Sequence, residues 1–194
     1  MVFAFVASIT PGPNNLMLMA SGANFGFRRT VPHMLGVAGG FVVMVVLVGM
    51  GLAQVFQIYP VSYTVLMVVS VLYLMFLAWK IATAAPPREV EHVGTPFTFL
   101  QAALFQWVNP KAWAMALTAI SVYSPSKDLG AIVLVALIFG LINLPSVSTW
   151  TLLGEQLQRV LTNPLRLRLF NFAMAILLLA SLYPVIFANG AGPL

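Results

Sequence analysis

Four stretches of this chain carry no aspartate, glutamate, lysine or arginine: residues 1–27, 30–79, 129–154 and 169–194. Each is long enough to cross a hydrocarbon core about 30 Å thick, which takes about 20 helical residues. Residues 30–79 suffice for two crossings, and Gln57-Ile58-Tyr59-Pro60 supplies a polar, proline-bearing break near the middle. A chain with this pattern is a membrane protein. Its composition agrees, with 61% hydrophobic residues, 7% charged residues and a mean hydropathy of +0.99.

The apolar runs are apolar on every face, whereas the strands of a membrane barrel alternate apolar and polar residues. The expected fold is therefore an all-α polytopic membrane protein. Its six spans are placed near residues 2–23, 32–56, 61–83, 97–123, 129–153 and 169–188 of one transporter domain covering 1–194. The first segment reads as a span and not as a secretory leader, because it lacks a basic start and runs on into further apolar sequence. With no cysteine there are no disulfides, thiolate metal sites or cysteine nucleophile. No metal or cofactor is expected.

Lysine and arginine set the orientation, since short loops rich in them stay in the cytoplasm. Arg28 and Arg29 follow the first span, Lys80 and Arg88 the third, and Arg159, Arg166 and Arg168 the fifth. Lys127 stands on the other side beside Asp128, and Lys111 lies within the fourth span. Both termini are thus expected in the periplasm. The basic residues follow topology and never cluster with interleaved aromatics, so nucleic acid is not an expected partner. The oligomeric state is left open, a homo-oligomer included.

Displacing the second half by about 97 residues sets Pro110 on Pro13 and Lys111 on Asn14. Three spans per half is an odd number, so the halves would insert with opposite orientation. The expected units are an inverted pair of three-helix repeats at about 1–85 and 97–190, joined by a cytoplasmic loop near 86–96. The shared feature is a proline break in spans one and four. Pro11, Pro13 and Pro110 deprive the carbonyls of Ala7, Ile9 and Gln106 of their helical donors. Such breaks are tolerated in a bilayer where protein or a wet cavity surrounds them. Asn109-Pro110 reads as a helix cap followed by proline at the first helical position, and Gly12-Pro13 reads similarly. Two half-helix amino ends then suit a carboxylate.

Lys111 lies about a dozen residues from either end of its span, about 18 Å. A lysine at that depth costs about 2.5 to 3.5 kcal/mol on insertion scales. All four acidic residues, Glu89, Glu91, Asp128 and Glu155, fall in loops or at a helix end. What remains to neutralise it is Asn14, Asn15, Asn143, water, freed carbonyls or a ligand carboxylate. Two roles stay open, a structural lysine held by asparagines and carbonyls, or a residue that touches ligand or gates.

Without an acidic group in the spans, proton coupling would fall to Lys111, or to His33 at the mouth of the second span, where a merely tolerated interfacial histidine is the simpler reading. Gly36 and Gly40 form a GxxxG that permits close packing of the second span. Trp107, Trp113 and Trp150 lie near the break or its counterpart, where tryptophans mostly pack. An enzyme in the bilayer lacks its nucleophile, base and metal ligands. A cation channel lacks acidic residues along its path. A membrane scaffold or assembly subunit remains the alternative from another class.

The stretches TPGPNN (10–15), GFRR (26–29), LAWKIATAAP (77–86) and FQWVNPKAW (105–113) resemble the LysE/RhtB family of bacterial amino-acid exporters over essentially the whole chain. They are most similar to its cysteine/O-acetylserine branch. The resemblance implies a six-helix inner-membrane protein that expels small neutral amino acids or derivatives, cysteine/O-acetylserine-like or homoserine/threonine-like, by exchange with protons. A facilitator without ion coupling is the variant. It assigns Pro11, Gly12, Pro13, Asn14 and Asn15 to one motif and Asn109, Pro110 and Lys111 to another; with Gln106 these are the candidate substrate-binding residues. Two departures stand out: the segment before Pro11 is shorter than is usual in the family, and members of the branch can carry another residue at the position of Pro110.

Overall fold

The computed structural model describes residues 1–84, 95–124 and 128–183, and among these the chain is helical without strands. The first expected span is indeed broken. Helix α1 (Val2–Ile9) ends at Thr10, and α2 (Pro13–Phe25) begins after Gly12, with proline at its first position. Gly26, at φ +79°, is the whole turn into α3 (Phe27–Leu47), a backbone geometry that favours glycine. The Glu155 carboxylate accepts from the Phe27 amide at 3.0 Å and anchors this start.

α3 therefore begins five residues before the expected boundary at 32 and runs through Pro32. A proline so near a helix start removes a single backbone bond from its first turn. Arg28 and Arg29 stand in that turn and not in a loop. α3 continues into a π-helical stretch, Val48–Leu52, where Gly51 takes φ +107°, and then into α4 (Gln54–Ile58). Tyr59 turns the chain and Pro60 opens α5 (Pro60–Ala82), as the break at 57–60 requires.

A capping box, Thr98 with Gln101, opens α6 (Phe99–Phe105). A 3-10 turn, Gln106–Val108, and Asn109 then separate it from α7 (Pro110–Tyr123), the second expected break. Asp128 caps α8 (Leu129–Gln158), and Asn163 caps α9 (Pro164–Ala180). Both helices reach into the segment expected to be loop: Arg159 caps the end of α8, and Arg166 and Arg168 stand in α9. Arg88, Lys127, most of the 86–96 loop and residues 184–188 lie outside the described residues.

Phe27–Leu52, Pro60–Ala82 and Leu129–Gln158 are each long and apolar enough to cross a membrane. α5 turns Leu72, Met75, Phe76 and Trp79 outward, α8 does so with Leu134, Leu137 and Leu141, and α9 with Leu169, Phe172 and Ile176. A surface this apolar belongs in lipid.

Small residues hold the interior together, the packing device of helices that gain nothing from burying apolar surface against apolar lipid. A side chain at Gly22 would overlap the Thr151 carbonyl, and one at Gly154 the Met19 carbonyl, so α2 and α8 touch backbone to backbone. Gly36 meets the Phe99 carbonyl, and a Cβ at Gly40 would lie 2.6 Å from Ala103 Cα, which seats α6 on α3 as closely. This is the role expected of Gly36 and Gly40. α3 also packs on α8, and α5 on α9.

Candidate functional site

The two breaks meet. Lys111, one residue into α7, reaches across to the end of α1, where its Nζ donates to the Thr10 carbonyl at 2.7 Å, to Thr10 Oγ1 at 2.9 Å and to the Pro11 carbonyl at 3.4 Å. Its stem lies over Gly12, where a Cβ would stand 2.7 Å from Lys111 Cδ. The backbone of Gly12 is extended, a conformation any residue can take; glycine is needed there for the close approach of the lysine.

One turn along, Asn14 and Gln106 face each other as paired amides. Asn14 Nδ2 donates to Gln106 Oε1 at 2.8 Å, and Gln106 Nε2 donates to Asn14 Oδ1 at 3.3 Å and to the Ala102 carbonyl at 2.9 Å. Gln106 is fully buried. Asn15 turns inward on its own half, donating to the carbonyls of Ser8 at 2.7 Å and Thr10 at 2.8 Å. Asn109 caps α7 by accepting from the Lys111 amide at 3.2 Å, as its place before Pro110 leads one to expect.

A cleft lies between these groups, walled by Ser8, Gly12, Asn14, Asn15, Gln106, Asn109, Lys111 and Asn143, with Phe41, Met115 and Val147 on its apolar side. It leaves about 20 Å³ for the centre of a small molecule, room for one water. Ser8 Oγ and Asn143 Oδ1 are buried in this wall, and neither has a hydrogen-bond partner among the described residues. Buried polar groups are ordinarily paired, so these two are suited to hydrogen-bond a polar guest.

Of the residues expected to bind substrate, Gly12, Asn14, Asn15, Gln106, Asn109 and Lys111 line the cleft. Pro11, Pro13 and Pro110 shape the two breaks, and Pro11 also lends its carbonyl to Lys111. The carbonyls the prolines release already have donors. Thr10 Oγ1 serves Ala7 at 3.1 Å, Trp150 Nε1 serves Ile9 at 2.9 Å, and the Asn109 amide serves Gln106 at 3.2 Å. The lysine instead uses the next carbonyls, of Thr10 and Pro11, and none of the three asparagines named from the sequence.

His33 does not stand at an open mouth. It is buried against the Phe97 ring, centroids 5.2 Å apart, it is not among the residues that line the cleft, and neither ring nitrogen has a partner among the described residues. Trp107 and Trp113 pack on each other, joined by a hydrogen bond from Trp113 Nε1 to the Trp107 carbonyl at 3.0 Å. Sequence reasoning missed Ser8, Thr10, Phe41 and Met115. Thr10 had a signal, since a hydroxyl next to Pro11 sits where the helix must give up its carbonyls; the others read as ordinary span residues.

Comparison with known proteins adds a family. The profile of the LysE type translocators matches residues 5–181. A cysteine/O-acetylserine efflux protein of Escherichia coli O139:H28 (strain E24377A / ETEC) is 28% identical over 179 residues, 91% of this chain and 90% of that protein. Proteins of the same name from Escherichia coli (strain K12) and Shigella flexneri are 28% identical over 160 residues, 81% of this chain and 82% of theirs. No solved structure matches. With the profile spanning nearly its whole length, this chain belongs to the LysE type translocator family, and it is a transporter and not an enzyme.

Proposed function

We propose that this protein exports small neutral amino acids or their derivatives across the bacterial inner membrane, driven by protons, and that the cleft between the two breaks binds them. The observation that carries this is the meeting of the breaks: Lys111 of one break is held by the acceptors of the other. A zwitterion needs a cationic place and an acceptor place a few ångströms apart. Lys111 and the amino end of α2, which no side chain caps, suit a carboxylate. The carbonyls at the end of α1 suit an ammonium. The cleft wall holds no acidic side chain, which disfavours a basic substrate. Cysteine and O-acetylserine, named for the relatives, fit these terms; homoserine and threonine would fit as well.

Six spans in two inverted repeats are part of the proposal. In support, both parts of the broken helix of each half pack on the second helix of the other, α1 and α2 on α8 and α6 and α7 on α3, while α3 pairs with α8 and α5 with α9. This is the exchange of partners that a two-fold axis in the membrane plane would create. Both termini are proposed in the periplasm on the basis of Arg28, Arg29, Lys80, Arg159, Arg166 and Arg168. An alkaline phosphatase fused after Leu194 is expected to be active; an inactive fusion with a fluorescent cytoplasmic counterpart overturns the orientation.

Lys111 is the proposed site of proton exchange, with His33 the second candidate. Uptake of radiolabelled amino acid into inverted vesicles tests the function. Accumulation is expected to need a pH gradient and to be lost for the amino-acid amide, which lacks the carboxylate. Equilibration without accumulation would make the protein a facilitator, and no uptake of any neutral amino acid would overturn the proposed substrate class.

A further inference from the structure

We infer that Lys111 is a tethered mimic of the substrate's ammonium: it fills the substrate's own cation site while the cleft is empty and is displaced when substrate arrives. The inference rests on the cleft being the amino-acid site and adds the order of events there.

The acceptors around Nζ form a compact set. Two carbonyls and one hydroxyl, at 2.7, 2.9 and 3.4 Å, give an ammonium one acceptor for each of its three N–H bonds. They sit at the carboxyl end of α1, where the helix dipole favours a cation. The hydroxyl is oriented for this purpose, because Thr10 Oγ1 donates its own hydrogen to the Ala7 carbonyl at 3.1 Å and turns its lone pairs to Nζ. Asn15 Nδ2 donates to the same carbonyl of Thr10 at 2.8 Å and helps to hold it in place.

A primary ammonium on a substrate has the same three donors and would need the same acceptors. With Lys111 in place the cleft has room for about one water. Substrate and lysine therefore exclude each other from the acceptors. The lysine needs only to swing off Gly12 to release them, since its contact there is the contact of a flexible stem with a backbone that carries no Cβ. Once displaced, Nζ has the substrate's carboxylate for a partner. Only a guest with both groups can offer that exchange, so an amine alone loses to the lysine and a carboxylate alone leaves it seated. Specificity for α-amino acids follows from the competition, and proton exchange at Lys111 belongs to the displaced state.

Binding of ethylamine to the purified protein in detergent, read by calorimetry, tests this directly. The wild type is expected to bind it weakly, and Lys111→Met about tenfold more tightly or better, the size of one charge-assisted hydrogen bond regained. Gly12→Ala, whose Cβ would push the stem aside with the lysine still present, is expected to tighten ethylamine binding in the same direction. Equal, weak binding of ethylamine by wild type, Lys111→Met and Gly12→Ala overturns the inference. Binding of the transported amino acid to the wild type is measured alongside. If it binds while ethylamine never gains, the amino-acid site stands and the mimic falls. If ethylamine gains but no amino acid binds, the mimic stands and the assignment of the site to amino acids falls.

Discussion

The two breaks use the same proline device and end differently. After Asn109 the chain closes on itself: a 3-10 turn tightens the approach, the Asn109 side chain accepts the Lys111 amide, and Trp113 serves the Trp107 carbonyl. After Gly12 no side chain among the described residues caps α2, and the Thr10 and Pro11 carbonyls are turned to a side chain from the other half. One residue makes the difference. Asparagine before the proline carries its own acceptor, while glycine carries none and leaves room for the lysine. The closed break supplies the cation that stands in the open one, and in the proposed reading the open break is where the ligand is held.

The largest effect is expected where the open break is anchored. Gly154→Leu would drive a side chain into the Met19 backbone and part α2 from α8. Little folded protein should survive detergent extraction, as followed by size-exclusion chromatography and thermal melting, because overpacking against backbone has no cheap relief. Normal yield and melting would mean that the close seating of α2 is dispensable.

Next in size is the cation itself. Lys111→Arg keeps the charge but hardly releases a proton, so accumulation driven by a pH gradient in inverted vesicles should disappear. Accumulation that persists would remove Lys111 from the coupling and pass the question to His33.

Making the open break resemble the closed one is a sharper and smaller perturbation. Gly12→Asn would supply α2 with a cap and displace the Lys111 stem. The protein should fold with unchanged or slightly higher stability and bind its amino acid more weakly than Gly12→Ala, which displaces the stem without adding a cap. Affinity equal to that of Gly12→Ala would show that the uncapped end of α2 takes no part in binding. The converse, Asn109→Ala, removes the cap from α7. It should cost about 1 kcal/mol of stability in a denaturation curve with a comparatively small change in substrate affinity.

How much of this was legible beforehand can be judged from particular residues. Pro11, Pro13 and Pro110 predicted both breaks, because a missing amide hydrogen acts locally and needs no partner to be known. Gln57 to Pro60 predicted the turn before α5 for the same reason. Lys111 could be singled out by its charge, yet its partners could not, since they are backbone carbonyls 100 residues away and every residue has one. The Asn14–Gln106 pair and the positions of Ser8 and Asn143 depend on how α1, α2, the Gln106–Val108 turn and α8 converge, which no local pattern encodes. Charge does not mark the helix ends. Arg28, Arg29, Arg166 and Arg168 lie on helices, because backbone hydrogen bonding continues past the apolar run as long as no residue stops it. The π-helical stretch at Val48–Leu52 with Gly51 likewise had no visible signal.

The claim at the centre of this account is that the substrate enters the cleft between the breaks. The chain has no cysteine, so Ser8→Cys places a single thiol in the cleft wall at a buried position that has no hydrogen-bond partner among the described residues. Its labelling by a small methanethiosulfonate can be followed in membranes with and without the amino acid that inverted vesicles accumulate. The account predicts that labelling slows as that amino acid saturates the protein, and that its amide gives no protection. Labelling at the same rate in the presence of a saturating, transported amino acid would contradict it.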